Sequence, residues 1–549
     1  PDKSRESELP IDDSDMGCDC AQQCPIVPPW KRQIATIEID DDRDAVTDNG
    51  QELYNLMAER GIGNVIICGV HLNMCVLGRP CAIRIAGVLL ARSSASFPPH
   101  IVGGAPWIVH LYTSEKSIMT RIVRVSCLIA AWVCAYSVSG ADLRAEMDRL
   151  ADQLEPNVIE WRHDIHQYPE LGNREFRTAG KVAAHLKALG LEVKTGVAHT
   201  GVVALLKGGK PGPVIALRAD MDALPVAEEV DLPFASKVKT IWAGKETGVM
   251  HACGHDTHVA ILMGVAQALA AVKDNLPGTV KFIFQPAEES PPPGEDGGAS
   301  LMVKQGVMEN PKPEAVFGLH ITSIIETGTI GYRPGPVMAA ADILRITVQG
   351  RQTHGSAPWS GVDPIVVASQ IVLGLQTIVS RTVNPADSAV VTITQIHAGN
   401  TWNAIPDSIV LRGTFRCFNS AVQTLVADKI KQHVDAVCAA FSMDVELKFN
   451  PENPGYPVTY NSDKETALAL QAATAIVGDG SVHTNPTPSM GSEDFAFMLQ
   501  EKPGCYIWIG NGSSENSCLL HNPHYDFNDD ILAVGAAYWV KLVEIVLAT

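Results

Sequence analysis

Positive charge is in short supply along this chain: 42 Lys and Arg stand against 61 Asp and Glu, a formal net charge of −19. A surface of that sign neutralises no phosphate backbone, which excludes nucleic acid as a partner. Thirteen cysteines in 549 residues are too few for a disulfide scaffold, and eight of them precede residue 135. The apolar run from Val125 to Tyr136 falls short of the ~20 residues that a comfortable membrane span requires. What is present is an ordinary globular balance, 46% hydrophobic and 19% charged, in a chain long enough for two or three domains.

The chain divides into unlike parts. In residues 1–118 an amphipathic stretch from Tyr54 is followed by the apolar strand Val65-Ile66-Ile67-Cys68 and the segment Gly69-Val70-His71-Leu72-Asn73-Met74-Cys75. This resembles the nucleophile segment of isochorismatase-like cysteine hydrolases, with Cys75 at the strand-to-helix turn where that family carries its thiol. A working thiol needs a lowered pKa and an acid–base partner. The family's early Asp and its Lys are not recognisable, so this part is expected to be a truncated, inactive α/β remnant with a linker. Residues 119–141 then read as a secretory signal peptide: basic Met119–Arg124, the apolar run, and small residues Ser137–Ala141. Met119 as the biological start implies a secreted or periplasmic protein with no stable membrane span after cleavage. Without that start, the expectation is cytoplasmic.

The densest chemistry lies in Met250-His251-Ala252-Cys253-Gly254-His255-Asp256-Thr257-His258, a thiol, three imidazoles and a carboxylate in nine residues. Further on, Gln285-Pro286-Ala287-Glu288-Glu289 closes an apolar run, so two adjacent carboxylates fall at a strand end. Thiolate, imidazole and carboxylate are the ligand set of zinc and its neighbours. Two consecutive acids allow one to bind metal while the other handles protons.

From Leu154 onward, helical and strand periods alternate. Val214–Arg218 and Thr279–Phe284 read as strands, and Arg177–Leu189 and His258–Val272 as helices. That order predicts an α/β catalytic domain, a mixed sheet flanked by helices, over 142–338 and 453–549. Between its halves, 339–452 reads as strand, helix, two strands and helix, an inserted two-layer α+β domain.

Residues ~150–549 resemble the dinuclear-metal aminoacylase and carboxypeptidase family, in its hippurate hydrolase and auxin-conjugate amidohydrolase branch. Nine landmarks stand in order, among them Arg218-Ala219-Asp220-Met221-Asp222, the Cys253/His255 segment, Glu288-Glu289, Gly318-Leu319-His320, Thr353-His354-Gly355, Asn403-Ala404-Ile405-Pro406, Ser492-Glu493-Asp494-Phe495 and Leu520-His521. The resemblance implies two divalent metal ions held by Cys253, His255, Glu289, His320 and His521. A thiolate leans toward zinc, while manganese, nickel and cobalt also suit imidazole and carboxylate. It assigns Glu288 as general base toward a water whose pKa the metal lowers to ~7. It makes the inserted domain a lid and homodimerisation domain whose His354 stabilises the oxyanion in the partner's site, with Asn403 as a second donor.

Arg416 is a candidate for the substrate carboxylate. Asp220 either orients a ligand imidazole or caps the following helix. The leading function is metal-dependent hydrolysis of small N-acyl amino acids of the hippurate or N-acetyl type. The alternatives are a dipeptidase or exopeptidase of the same family, a catalytically silent metal-binding dimer, and a thiol amidohydrolase built on Cys75. In an exported protein Cys417, Cys438, Cys505 and Cys518 are candidates for pairing.

Overall fold

The computed structural model describes residues 155–512 and 518–548. The Cys75 segment and the signal-like segment 119–141 lie outside the described residues.

A helix over 155–167, α1, is followed by α2 (Phe176–Ala188), β1 (Glu192–Val197), β2 (Gly201–Lys207) and β3 (Lys210–Asp220). Next come α3 (His255–Ala271), β4 (Pro277–Gln285), α4 (Gly298–Lys304), β5 (Ala315–Glu326) and β6 (Ile330–Tyr332). The inserted domain supplies β7 (Ala340–Gln349), α5 (Pro364–Arg381), β8 (Ala389–Ala398), β9 (Ser408–Cys417), α6 (Ser420–Ala440) and β10 (Asp444–Phe449). The chain then returns through α7 (Asp463–Val477), β11 (Val482–Thr484), α8 (Ala496–Glu501), β12 (Gly504–Gly512) and α9 (Ile531–Ala548).

The main sheet has eight strands in the order β1-β2-β4-β3-β5-β12-β6-β11. Its centre is parallel: β3 pairs in parallel with β4 and β5, and β5 with β12. Antiparallel β1 and β2 close one side. Central strands covered on both faces need apolar side chains on both, and Ile215–Asp220 and Val280–Gln285 are buried at every position. α2, α3, α7 and α9 share one core with the sheet, and α4 and α8 share a second. α3 has 14 of its 17 residues buried, as a helix enclosed on all sides must. It starts at His255, three residues before the position that hydrophobic periodicity predicts, because its polar first turn is itself buried.

β3, β4 and β5 run in register, with Asp220 opposite Gln285 and Arg218 opposite Gly318. Continuing that register sets His320 level with Asp220 and Gln285. The parallel strands therefore deliver their polar residues at one edge, where sites form in α/β sheets.

The inserted segment folds as its own layer pair. Its antiparallel sheet, ordered β8-β9-β7-β10, carries α5 and α6 against a separate core containing Val367, Ile371, Leu375, Val426, Ile430 and Val434. Asp363 caps α5 through Ile365 N, and Asn419 caps α6 through Ala421 N. The outgoing and returning linkers lie side by side: Gly335 pairs with Asn461, and Ala341 bridges Tyr456. Among the described residues two helices, α5 and α9, are long and apolar enough to cross a membrane by length and composition. In this fold both pack their apolar faces on domain cores. One expectation is corrected: Cys417, Cys438, Cys505 and Cys518 are free thiols. The first three are buried as small hydrophobic groups, Cys417 and Cys438 in the inserted core and Cys505 in the catalytic one.

Candidate metal centre

Cys253, Gly254 and His255 turn from an extended segment into α3. Gly254 has φ +82°, and a Cβ there would lie 2.1 Å from Cδ1 of Ile321. Only glycine satisfies both conditions, and the bend turns Cys253 and His255 toward one cluster. The Cys253 Sγ lies 3.3 Å from Nε2 of His320 and 3.2 Å from Nε2 of His521. The same His521 nitrogen is 3.0 Å from Oε1 of Glu289. Two three-donor groups share the thiol, Cys253–His255–His320 and Cys253–Glu289–His521, each with its donor atoms within 4.8 Å of one another. All five residues that the resemblance implies as ligands thus converge, with Cys253 placed as a donor common to two positions.

The surroundings fit a divalent cation. His255 donates from Nδ1 to the Asp222 carbonyl at 2.8 Å, which leaves Nε2 to carry the lone pair when the ring is neutral, and that atom is buried with no hydrogen-bond partner. His320 is fixed the same way, its Nδ1 donating to the carbonyl of Ile321. An orienting bond on one imidazole nitrogen that frees the other is what a metal-ligating histidine requires. Burial, with Glu289 and Glu288 close by, pushes the Cys253 thiol well above its ordinary range. A cation reverses that tendency, because a coordinating thiol loses its proton outright.

Glu288 is 6% exposed, and burial together with Glu493, Glu289 and Asp494 holds its carboxyl well above the usual range. A group so poised both takes and returns a proton. Glu289 is half-buried; desolvation pushes its carboxyl up, but the hydrogen bond and charge of His521 hold it below its ordinary value. Adjacent acids are thereby driven apart, Glu288 toward the protonated form and Glu289 toward the carboxylate.

Asp220 faces the candidate ligand His255, its Oδ2 3.8 Å from Nε2, but its hydrogen bonds go elsewhere. Its Oδ1 accepts from Nδ1 of His258 at 2.6 Å and its Oδ2 from Arg218 at 2.6 Å. His258 is not a spare ligand, since its Nε2 accepts from Ile321 N–H at 3.0 Å. The cap of α3 is Gly254, with no side-chain cap bond. The orienting role belongs instead to Asp222, whose two carboxylate oxygens accept from the main-chain N–H groups of Glu288 and Glu289, both at 3.0 Å.

Behind the base lies a buried ion cluster absent from the sequence-based assignment. Arg218 reaches Asp220, Glu493 and Asp494, and Tyr506 donates to Glu493. The signal for it was an arginine ending an apolar strand, since a buried guanidinium demands acids.

The inserted domain brings His354 and Asn403 together but not onto the cluster. His354 pairs with Ala404 in a two-residue ladder, and Gly355 N–H donates to the Asn403 carbonyl at 2.8 Å. His354 is exposed, with Nδ1 bonded to Ser356 Oγ at 2.7 Å. Arg416 donates to the Met490 carbonyl at 2.7 Å, burial alone lowers it, and among the described residues no carboxylate pairs with it.

Comparison with known proteins agrees with this geometry. Residues 216–545 match the model of peptidase family M20/M25/M40. Thermostable carboxypeptidase 1 of Saccharolobus solfataricus is 39% identical over 398 residues, covering 72% of this chain and 96% of its own. Hippurate hydrolase of Campylobacter jejuni is 40% identical over 381 residues, 69% of this chain and 94% of its own. A solved Bacillus subtilis structure, described as a dinuclear-metal-binding peptidase of the M20 family, is 35% identical with a TM-score of 0.59. It covers 72% of this chain and 99% of its own.

Proposed function

The chain belongs to peptidase family M20/M25/M40 and is a metal-dependent amidohydrolase, and from that premise we propose that it cleaves N-acyl amino acids into free acid and amino acid. The observation that carries the reading is Glu288, a buried carboxyl of raised pKa, set beside five donors that share Cys253 between two positions. The substrate class is supported by the similarity to hippurate hydrolase. Two ions are supported by the shared thiol, and zinc by its softness.

Cys253, His255, Glu289, His320 and His521 would hold the metal. Bound divalent ions supply Lewis acidity and bring the attacking water's pKa toward neutrality. Glu288 takes that water's proton on a carboxylate oxygen and returns it to the amide nitrogen as the C–N bond breaks. Asp222 keeps the main chain of Glu288 and Glu289 in place through this exchange. Arg416, without a carboxylate partner among the described residues, offers its fork to the substrate carboxylate. The inserted domain acts as lid and dimerisation module, its His354 and Asn403 donating to the developing oxyanion in the partner's site. Export follows if residues 119–141 act as a signal.

The test uses the full chain, metal-loaded, on hippurate, N-acetyl amino acids and dipeptides, with wild type beside Glu288→Ala. Release of amino acid from N-acyl substrates, reduced about 10²–10⁴-fold in the variant at unchanged metal content, is the expected result. Preference for dipeptides moves the reading to an exopeptidase. Metal binding without turnover on any substrate overturns it in favour of a silent metal-binding dimer.

A further inference from the structure

Glu288 and Glu289 diverge from a single peptide plane, one side chain toward Asp494 and the other toward His521. That plane is tied at both ends. Its N–H donates to Asp222 Oδ2 at 3.0 Å, and its carbonyl accepts from the hydroxyl of Tyr456 at 2.7 Å. The preceding Ala287 has φ +51°, a value rarely adopted by a residue with a Cβ. A strained turn persists only where its surroundings over-determine it, and these two bonds are among the ties that do so.

Tyr456 lies on the returning linker of the inserted domain. Its main chain exchanges two hydrogen bonds with Ala341, where the outgoing linker enters β7, each 2.9 Å long. Its ring stands edge-on to Phe497, with centroids 6.3 Å apart at 78°. Phe497 follows Asp494, whose N–H faces Glu288 Oε1 at 3.4 Å. One residue therefore meets the linker pair through its main chain, and through its side chain both the Glu288–Glu289 peptide and the segment that follows Asp494.

We propose that Tyr456 is a positioning residue for Glu288: its hydroxyl fixes the Glu288–Glu289 peptide plane and ties it to the linkers of the inserted domain. The inference rests on the proposed role of Glu288 as base. Without the hydroxyl the plane keeps only its Asp222 tie and can rotate, which misaims the base. Substrate groups bound elsewhere in the cleft are untouched, so the loss falls on kcat rather than KM.

The experiment compares the full-length, metal-loaded wild type with Tyr456→Phe and Tyr456→Leu on one N-acyl amino acid. Tyr456→Phe keeps the ring and both bonds to Ala341 and removes only the hydroxyl. The expected result is kcat about tenfold lower, the scale of one buried hydrogen bond, with KM within about twofold and metal content unchanged. Tyr456→Leu also loses the ring; it should show a similar kcat and a lower Tm. In a double-mutant cycle with His354→Ala, the link to the inserted domain predicts losses in kcat that do not simply multiply. An unchanged kcat in Tyr456→Phe overturns the proposal, and so does a loss that tracks metal content or Tm across the variants. Independent losses with His354→Ala overturn the link. An inactive wild type sinks the amidohydrolase reading and this inference together. With an active wild type, Glu288→Ala reports on the base and Tyr456→Phe on its positioning.

Discussion

The imidazole of His255 donates its Nδ1 proton to the main-chain carbonyl of Asp222 at 2.8 Å. The same Asp222 uses its side chain to hold the N–H groups of Glu288 and Glu289. One aspartate thus sets the aim of His255 through its backbone and of Glu288 and Glu289, the proposed base and ligand, through its carboxylate. Asp222→Ala keeps the first bond and removes the other two. Metal affinity is expected to fall about 10–100-fold, the usual cost of losing a group that orients ligands. Titration against a chelating dye measures this, and affinity equal to wild type refutes the role.

Gly254→Ala places a Cβ within 2.1 Å of Ile321 in a left-handed backbone conformation. Either the buried Ile321 side chain must shift or the Cys253–His255 bend must open, and the positive φ strains any side chain there, so the variant should bind less metal and melt at lower temperature. Full metal stoichiometry with an unchanged melt would show that the bend tolerates a side chain.

Buried His166 lies between Asp256, at 2.9 Å, and Glu228, at 3.2 Å. Burial alone would lower its pKa, but the bonds to Asp256 and Glu228 raise it to about 9. A pKa above the unfolded value means that the folded state binds the proton more tightly. The stabilisation is therefore full below about pH 6.5, shrinks between 6.5 and 9, and is absent above. Its upper bound is about 3 kcal/mol. The Tm gap between wild type and His166→Gln should accordingly be wide at pH 6 and narrow at pH 9.5. A gap independent of pH would assign His166 a packing role only.

His354 stands on the surface of the inserted domain, apart from the donor cluster of its own chain. If it serves the partner's site in a homodimer, Glu288→Ala and His354→Ala subunits complement each other. Random mixing makes half the dimers hybrid, each with one intact site, so about a quarter of wild-type activity should return. Mixtures no more active than the separate variants would place His354 in its own subunit's chemistry or outside catalysis.

The Cys253–His258 and Glu288-Glu289 segments stood out in the sequence because thiol, imidazole and carboxylate in such density have few bland explanations, while His320 and His521 entered as candidates through the family resemblance. Helix and strand positions followed from periodicity to within a few residues, and α3 began early because its buried polar turn breaks the apolar pattern. The supporting groups were not legible. Arg218 announces a buried ion cluster, yet its partners Glu493 and Asp494 lie 275 and 276 residues away. Asp220 and Asp222 are two residues apart with the same chemistry, and only the strand's end decides which of them meets Glu288 and Glu289. Tyr456 carried no motif at all, because its role is set by where a linker returns.

The pairing of Gly335 with Asn461 and of Ala341 with Tyr456 makes the inserted domain, in topological terms, the tip of one very long hairpin. The catalytic sheet closes on either side of that ribbon without borrowing a strand from it. A short turn joining Ala341 to Tyr456 would therefore excise the module and leave the chain path of the remaining domain intact. The same geometry makes this the natural point at which a different module could be grafted.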